Sequence, residues 1–259
     1  MKFSVCIDMM FSYLDFYDRF AAVKEAGIDA VEFWKWSVKD INRVSRLLQE
    51  HGLKLSLMNI DAADDEALSY DLSRGILNKN RSRELIRAIE DSASVCDRLD
   101  CRKLIVLIGE TDEKISHEEQ KENVFSSLAA AAPYAEKNGI TLVVEPLNAY
   151  DRKNYFMPES DPLAEIIRSV SSKNIKMLFD IYHQQRTEGN ILERIDKNID
   201  IIGHFHVADS PKRTEPGTGE LNWKNILPHI VKTGYSEYVG LEYRATKPDY
   251  LTFGFTKEI

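Results

Sequence analysis

Eight short apolar runs, spread from one end of the chain to the other and separated by longer amphipathic stretches, constrain this sequence more than any other feature. They occupy residues 3–8, 30–34, 53–59, 103–109, 141–148, 175–181, 201–208 and 238–243. Each is rich in Val, Ile, Leu or Phe and shows little polar alternation. A strand with one wet face alternates apolar and polar residues, whereas a strand covered on both faces does not. These runs therefore read as strands of a parallel sheet.

The segments between them supply helices. Within 15–26, Phe16, Phe20 and Val23 share one face, and Gly27 provides a stop. In 81–99, Ile86, Ile89, Ala93 and Cys96 recur at helical spacing. Residues 121–137 end in Asn138-Gly139, and 162–172, 191–197 and 223–233 complete the predicted helices. Strand–helix alternation repeated eight times favours a closed barrel, because parallel strands joined by right-handed crossovers close at that number. An open doubly wound sheet would usually carry a glycine-rich nucleotide loop after its first strand; here that loop reads Met9-Met10-Phe11-Ser12-Tyr13. No linker or composition shift marks a second domain. Residues 1–259 are expected to form a single (β/α)8 TIM barrel domain. The short stretch after Glu242 predicts a reduced or irregular eighth helix.

In such a barrel the site forms where strands end and loops begin. Four consecutive late strands carry an acid or an imidazole at that end: Glu145, Asp180, His206 and Glu242. An isolated buried carboxylate is costly and normally has a cation, a salt bridge or a metal beside it. A single Glu at a strand end is more often a salt-bridge partner, and a single His in an apolar strand is usually a hydrogen-bonded core residue. Four of them on successive strands favour one divalent ion, Mn²⁺, Mg²⁺, Co²⁺ or Zn²⁺. His204 and His206 share a face of their strand. His204 reads as a deeper residue that packs or supports the ligands from behind, and His206, nearer the mouth, as the better ligand. An HxH pair also marks amidohydrolase-type metal enzymes, but at their first strand rather than the seventh.

Further residues of the mouth are candidates for substrate contact. His183 stands three residues beyond Asp180, and Arg186 and Arg213 could each pair with a substrate carboxylate; surface salt bridging is the ordinary alternative for both. Trp34, Phe11 and Tyr13 could form an apolar wall, and the glycine-containing stretch 215–220 a lid or turn over the mouth. It lacks the residues of a phosphate loop. Acidic residues outnumber basic ones by 42 to 34, a net charge of −8 that argues against nucleic-acid or anionic-membrane partners. Small molecules are the expected partners, and a homo-oligomer is compatible with the sequence. The three cysteines form no CxxC pair, no apolar run approaches the roughly 20 residues of a membrane helix, and the N-terminus is no signal peptide. A cytoplasmic protein is expected.

The stretches Val144-Glu145-Pro146-Leu147-Asn148, 179–189, 203–220 and Val239-Gly240-Leu241-Glu242-Tyr243, with the earlier Ala30-Val31-Glu32-Phe33-Trp34, resemble the hydroxypyruvate isomerase family of the xylose-isomerase-like barrels. The resemblance implies interconversion of hydroxypyruvate and tartronate semialdehyde, or of related short 2-oxo acids such as 2-oxo-tetronates. It also implies that Glu145 and Glu242 are the catalytic pair and that Asp180 binds the metal. Family members often carry Gln where this chain has His206, while the ketose 3-epimerases of the wider superfamily carry His. The chemistry would pass through an enediolate, with Glu145 and Glu242 flanking the substrate. A ketose 3-epimerase, an apurinic-site endonuclease and a non-catalytic sugar-binding barrel are the competing readings.

Overall fold

A computed structural model describes residues 1–63, 72, 74–77 and 82–257. The strands are β1 (Lys2–Cys6), β2 (Ala30–Phe33), β3 (Lys54–Asn59), β4 (Lys103–Leu107), β5 (Thr141–Glu145), β6 (Ile175–Asp180), β7 (Ile202–Val207) and β8 (Tyr238–Leu241). They pair in chain order, all parallel, and β8 returns to β1 to close the barrel. Each predicted apolar run overlaps one strand. The runs tend to overshoot at their C-terminal ends, where residues such as Pro146–Asn148 leave the ladder.

Outside the strands lie α1 (Arg19–Glu25), α2 (Ile41–His51), α3 (Ser82–Leu99), α4 (His117–Lys137), α5 (Ser160–Val170), α6 (Ile181–Thr187), α7 (Ile191–Asn198) and α8 (Trp223–Lys232). The helix expected at 81–99 is α3; Arg81 lies outside the described residues. α4 begins earlier than expected, where the Ser116 side chain caps it by accepting from Glu119 N at 3.2 Å. Two helices escape the sequence pattern. α2 carries Ile41, Val44, Leu47 and Leu48 at helical spacing, a stripe that the alternation of apolar runs does not pick out, and is bounded by its Asp40 cap and the left-handed Gly52. α6 starts directly at the end of β6, because the Asp180 carboxylate accepts from Tyr182 N at 2.8 Å and turns the chain into a helix.

After β8 the described residues contain no α-helix, as the short tail predicts. Two 3₁₀ turns, Asp249–Leu251 and Phe253–Lys257, stand in its place. Buried Phe253 packs on Phe11 at 6.2 Å between ring centroids, and Asp249 Oδ1 accepts from Phe11 N at 2.9 Å. The β1 loop and the tail thus pack on each other.

The barrel interior is divided in composition. Leu57, Ile105, Val143 and Leu178, from β3 to β6, form a compact apolar cluster separate from the main core. On the side of β1, β2 and β7 the buried residues include Ser4, Glu32, His204 and His206. This polar half lies next to the carboxylates at the mouth.

Candidate metal centre and active-site cavity

Strand geometry alone brings the four expected groups together. Glu145 and Asp180 are the last residues of β5 and β6, His206 is next to last in β7, and Glu242 follows β8. Asp180 is in register with His206, and His206 with Gly240, so Glu242 falls two residues further along the same face. All four side chains are buried, and one donor atom from each lies within 4.8 Å of the others.

Three acids at this separation oppose one another. Burial first, and then the neighbouring Glu242, push the Glu145 carboxyl up to about 8. Burial also raises Asp180. Burial works against ionised Glu242 as well, but His206 and Arg213 outweigh it and hold that carboxyl well below its ordinary range. His206 is buried too, and Glu242 and Glu32 nevertheless hold its imidazole well above the usual value. The cluster therefore gathers positive charge around its carboxylates. Buried Glu145 Oε1 and His206 Nδ1 have no hydrogen-bond partner, although Nδ1 lies 3.2 Å from Glu242 Oε2 and 4.0 Å from Glu145 Oε1. Two unpartnered atoms, Glu145 Oε1 and His206 Nδ1, converging with the oxygens of Asp180 and Glu242, fit a divalent ion.

Glu32, quoted in the sequence only as part of a motif, belongs to the same assembly. Its Oε2 accepts from His206 Nε2 at 2.9 Å and lies 3.4 Å from His204 Nε2; its Oε1 accepts from the Ser4 hydroxyl. His206 thus turns Nε2 to a buried acid and Nδ1 to the mouth. Burial lowers the neighbouring His204 to about 4, so this imidazole, expected to lie deeper than His206, is neutral where it meets Glu32. A Cβ at Gly240 would overlap both the Glu32 carboxylate and the His206 ring, so this pairing requires glycine there. A lone acid within an otherwise apolar strand, Ala30-Val31-Glu32-Phe33, is the signal that marks Glu32.

Above the acids opens a cavity of about 700 Å³, whose lining includes Trp34, Glu145, His183, Arg186, Arg213 and Glu242. His183 Nδ1 accepts from Asn148 N at 3.1 Å, which assigns its proton to Nε2, and Nε2 has no hydrogen-bond partner. Burial and then Arg213 keep this imidazole neutral, well below its ordinary value. Arg213 turns inward rather than outward: its Nη2 lies 2.6 Å from Glu242 Oε2 and 3.4 Å from Asp180 Oδ2. Arg186 Nη1 donates to the Pro211 carbonyl at 2.5 Å.

Two expectations need correction. Of the proposed aromatic wall, only Trp34 lines the cavity, where its Nε1 donates to Glu242 Oε1 at 3.0 Å. Phe11 is buried against the tail, and Tyr13 is 65% exposed on a different surface depression. Nor is the 215–220 stretch a lid, since none of its residues lines the cavity. The Glu215 carboxylate accepts from Thr246 N and Oγ1, and Gly217 N donates to Asp209 Oδ2, so the loop is tied back onto the barrel. Cys6 also touches the cluster, with its Sγ 3.6 Å from Glu242 Oε1; burial and then Glu242 keep it a neutral thiol.

Residues 20–253 match the model of the xylose isomerase-like TIM barrel. The chain belongs to that family. Among relatives of this xylose isomerase-like barrel, hydroxypyruvate isomerase of Escherichia coli K12 is 31% identical over 245 residues, covering 94% of this chain and 93% of the relative. The 2-oxo-tetronate isomerase of Haemophilus influenzae is 29% identical over 244 residues, with 94% and 93% covered. A crystal structure of an AP endonuclease, family 2, from Brucella melitensis superposes with a TM-score of 0.91 at 27% identity, over 99% of this chain and 98% of that one. This family member is an enzyme of the hydroxypyruvate isomerase-like kind. Among its described residues, no helix is long and apolar enough to cross a membrane.

Proposed function

We propose that this chain is a divalent-metal-dependent isomerase of short 2-oxo acids, interconverting hydroxypyruvate and tartronate semialdehyde or a four-carbon analogue. One barrel domain, residues 1–259, carries the activity. The observation that carries this reading is the convergence of Glu145, Asp180, His206 and Glu242 within 4.8 Å at the base of a 700 Å³ cavity. The two isomerase relatives support the substrate class. A chain of net charge −8 is poorly suited to a DNA backbone, which weighs against an endonuclease role. The unpaired, buried Cys6, Cys96 and Cys101 accord with a reducing cytoplasmic setting.

Glu145, Asp180, His206 and Glu242 would hold the ion. Once bound, it supplies fixed positive charge beside the oxygens on which negative charge develops. Glu145 and Glu242 form the proton-transfer pair. One carboxylate takes a proton from C3 of hydroxypyruvate, and the electron pair moves into the C2–C3 bond, giving an enediolate. Return of a proton to C2 leaves the carbonyl on C3, while the hydroxyl proton passes from O3 to O2. Trp34 and Arg213 fix Glu242 for this task. The Nε2–H of His183, 3.5 Å from Asp180 Oδ2 but without a hydrogen-bond partner, donates to a substrate oxygen.

Proton exchange at C3 in D₂O, followed by NMR on hydroxypyruvate, on 2-oxo-tetronate and on free ketoses, tests the reading. Turnover of the keto acids is expected, with Glu145→Gln and Glu242→Gln each slowing it by about 10²–10⁴. Turnover of ketoses alone would replace it with a 3-epimerase.

A further inference from the structure

The cavity is basic in an acidic protein. Its lining includes Lys35, Arg152, Arg186, Lys212, Arg213 and Arg244, six cations, against the carboxylates of Glu145, Asp151 and Glu242, in a chain of net charge −8. Two of the cations are committed. Arg213 is paired with Glu242 and Asp180, and Arg152 with Glu110 at 3.2 Å. Arg186, Lys212 and Arg244 have no carboxylate partner among the described residues.

These three share one side of the cavity. Arg186 reaches the Pro211 carbonyl, Lys212 is the next residue, and Arg244 N donates to the Arg213 carbonyl at 2.8 Å. The Arg186 guanidinium lies 4.3 Å from the Tyr150 ring centroid, which helps hold it against the rim. Unpaired cations in a concave site focus field on an anionic ligand. Hydroxypyruvate has three carbons and one carboxylate, which would engage a single basic group. The 700 Å³ volume falls in the range of about 300–1,000 Å³ that encloses much larger ligands.

We propose that Arg186, Lys212 and Arg244 form a subsite for a second, terminal anionic group of the substrate. The inference rests on the keto-acid reading above and narrows it to 2-oxo acids longer than three carbons that carry a terminal acid. A phosphate ester, with a charge of about −1.5 to −2 near neutral pH, matches three cations better than a second carboxylate does. Arginine forks and the lysine ammonium are the usual donors to such groups.

The test compares kcat/KM of the metal-loaded enzyme on 2-oxo-tetronate, on its 4-phosphate and on a 3-hydroxy-2-oxo dicarboxylate of five carbons. The ester is expected to exceed the plain acid at least about tenfold, the scale of charged hydrogen bonds. In the Lys212→Gln/Arg244→Gln double variant that ratio should fall close to unity. A preference for the dicarboxylate, lost in the same variant, would support the subsite and assign it to a carboxylate. Equal or faster turnover of the plain acid by the wild-type enzyme would overturn the subsite and leave the keto-acid reading standing. A ratio that survives the double substitution would also overturn it. If no keto acid is turned over, both readings fail. Lys212 and Arg244 are exposed, so their replacement leaves the core intact, and the wild-type comparison stands without either variant.

Discussion

The Glu32 carboxylate accepts a hydrogen bond from His206 Nε2 at 2.9 Å, joining β2 to β7 through the barrel interior and leaving Nδ1 to face the mouth. An acid behind a ligating imidazole fixes its tautomer and raises its basicity. Glu32→Gln keeps the shape but removes the charge. Its metal affinity, measured by calorimetric titration with Mn²⁺, is expected to fall by about 10–100-fold. Glu32→Asp should fall between wild type and the glutamine variant. Equal affinity in all three proteins would remove Glu32 from the metal site.

Gly240 leaves the space in which that pair meets. Gly240→Ala would push a methyl group into the Glu32 carboxylate and the His206 ring. Overpacking of this kind costs about 1–3 kcal/mol. Denaturant melts of the metal-free protein should show that loss, and Mn²⁺ titrations should show weakened binding as well.

Removal of metal offers a direct check on the centre. Turnover should vanish after EDTA treatment and return with Mn²⁺, Mg²⁺, Co²⁺ or Zn²⁺. An ion that binds only the folded state raises stability by about 2.7 kcal/mol at a hundredfold excess over its Kd. Thermal melts should therefore shift upward with added metal in wild type, and much less in Asp180→Asn. A melting point indifferent to metal would count against the site.

The pH dependence of stability should report Glu215. Burial raises this carboxyl, but the hydrogen bonds from Thr246 outweigh burial and hold it below its ordinary 4.5. Because the folded value is the lower one, the stabilisation is complete above the unfolded value and disappears as pH falls through the folded one. Wild type should melt above Glu215→Gln at pH 7, and the difference should close in acid below pH of about 4. Parallel melting curves across that range would show that Glu215 contributes nothing through its charge.

The sequence by itself determined the barrel and the floor of its mouth. Strand periodicity is a local property, and so is the position of a polar residue at the end of an apolar run. Glu145, Asp180, His206 and Glu242 were therefore legible one strand at a time, and parallel register was enough to bring them together. What only the tertiary structure decided are contacts between residues far apart in the chain. Glu32 meets His206 across 174 positions, because closure places β2 and β7 around one interior. Arg213, expected at a substrate carboxylate, turns into the acid cluster, since three buried carboxylates draw the nearest cation. Phe11 leaves the mouth because Asp249 of the tail holds its backbone N–H. Helix α2 is a different case: Ile41, Val44, Leu47 and Leu48 repeat at helical spacing between the Asp40 cap and Gly52, so its covered face is legible in the sequence although the alternation of apolar runs passes over it.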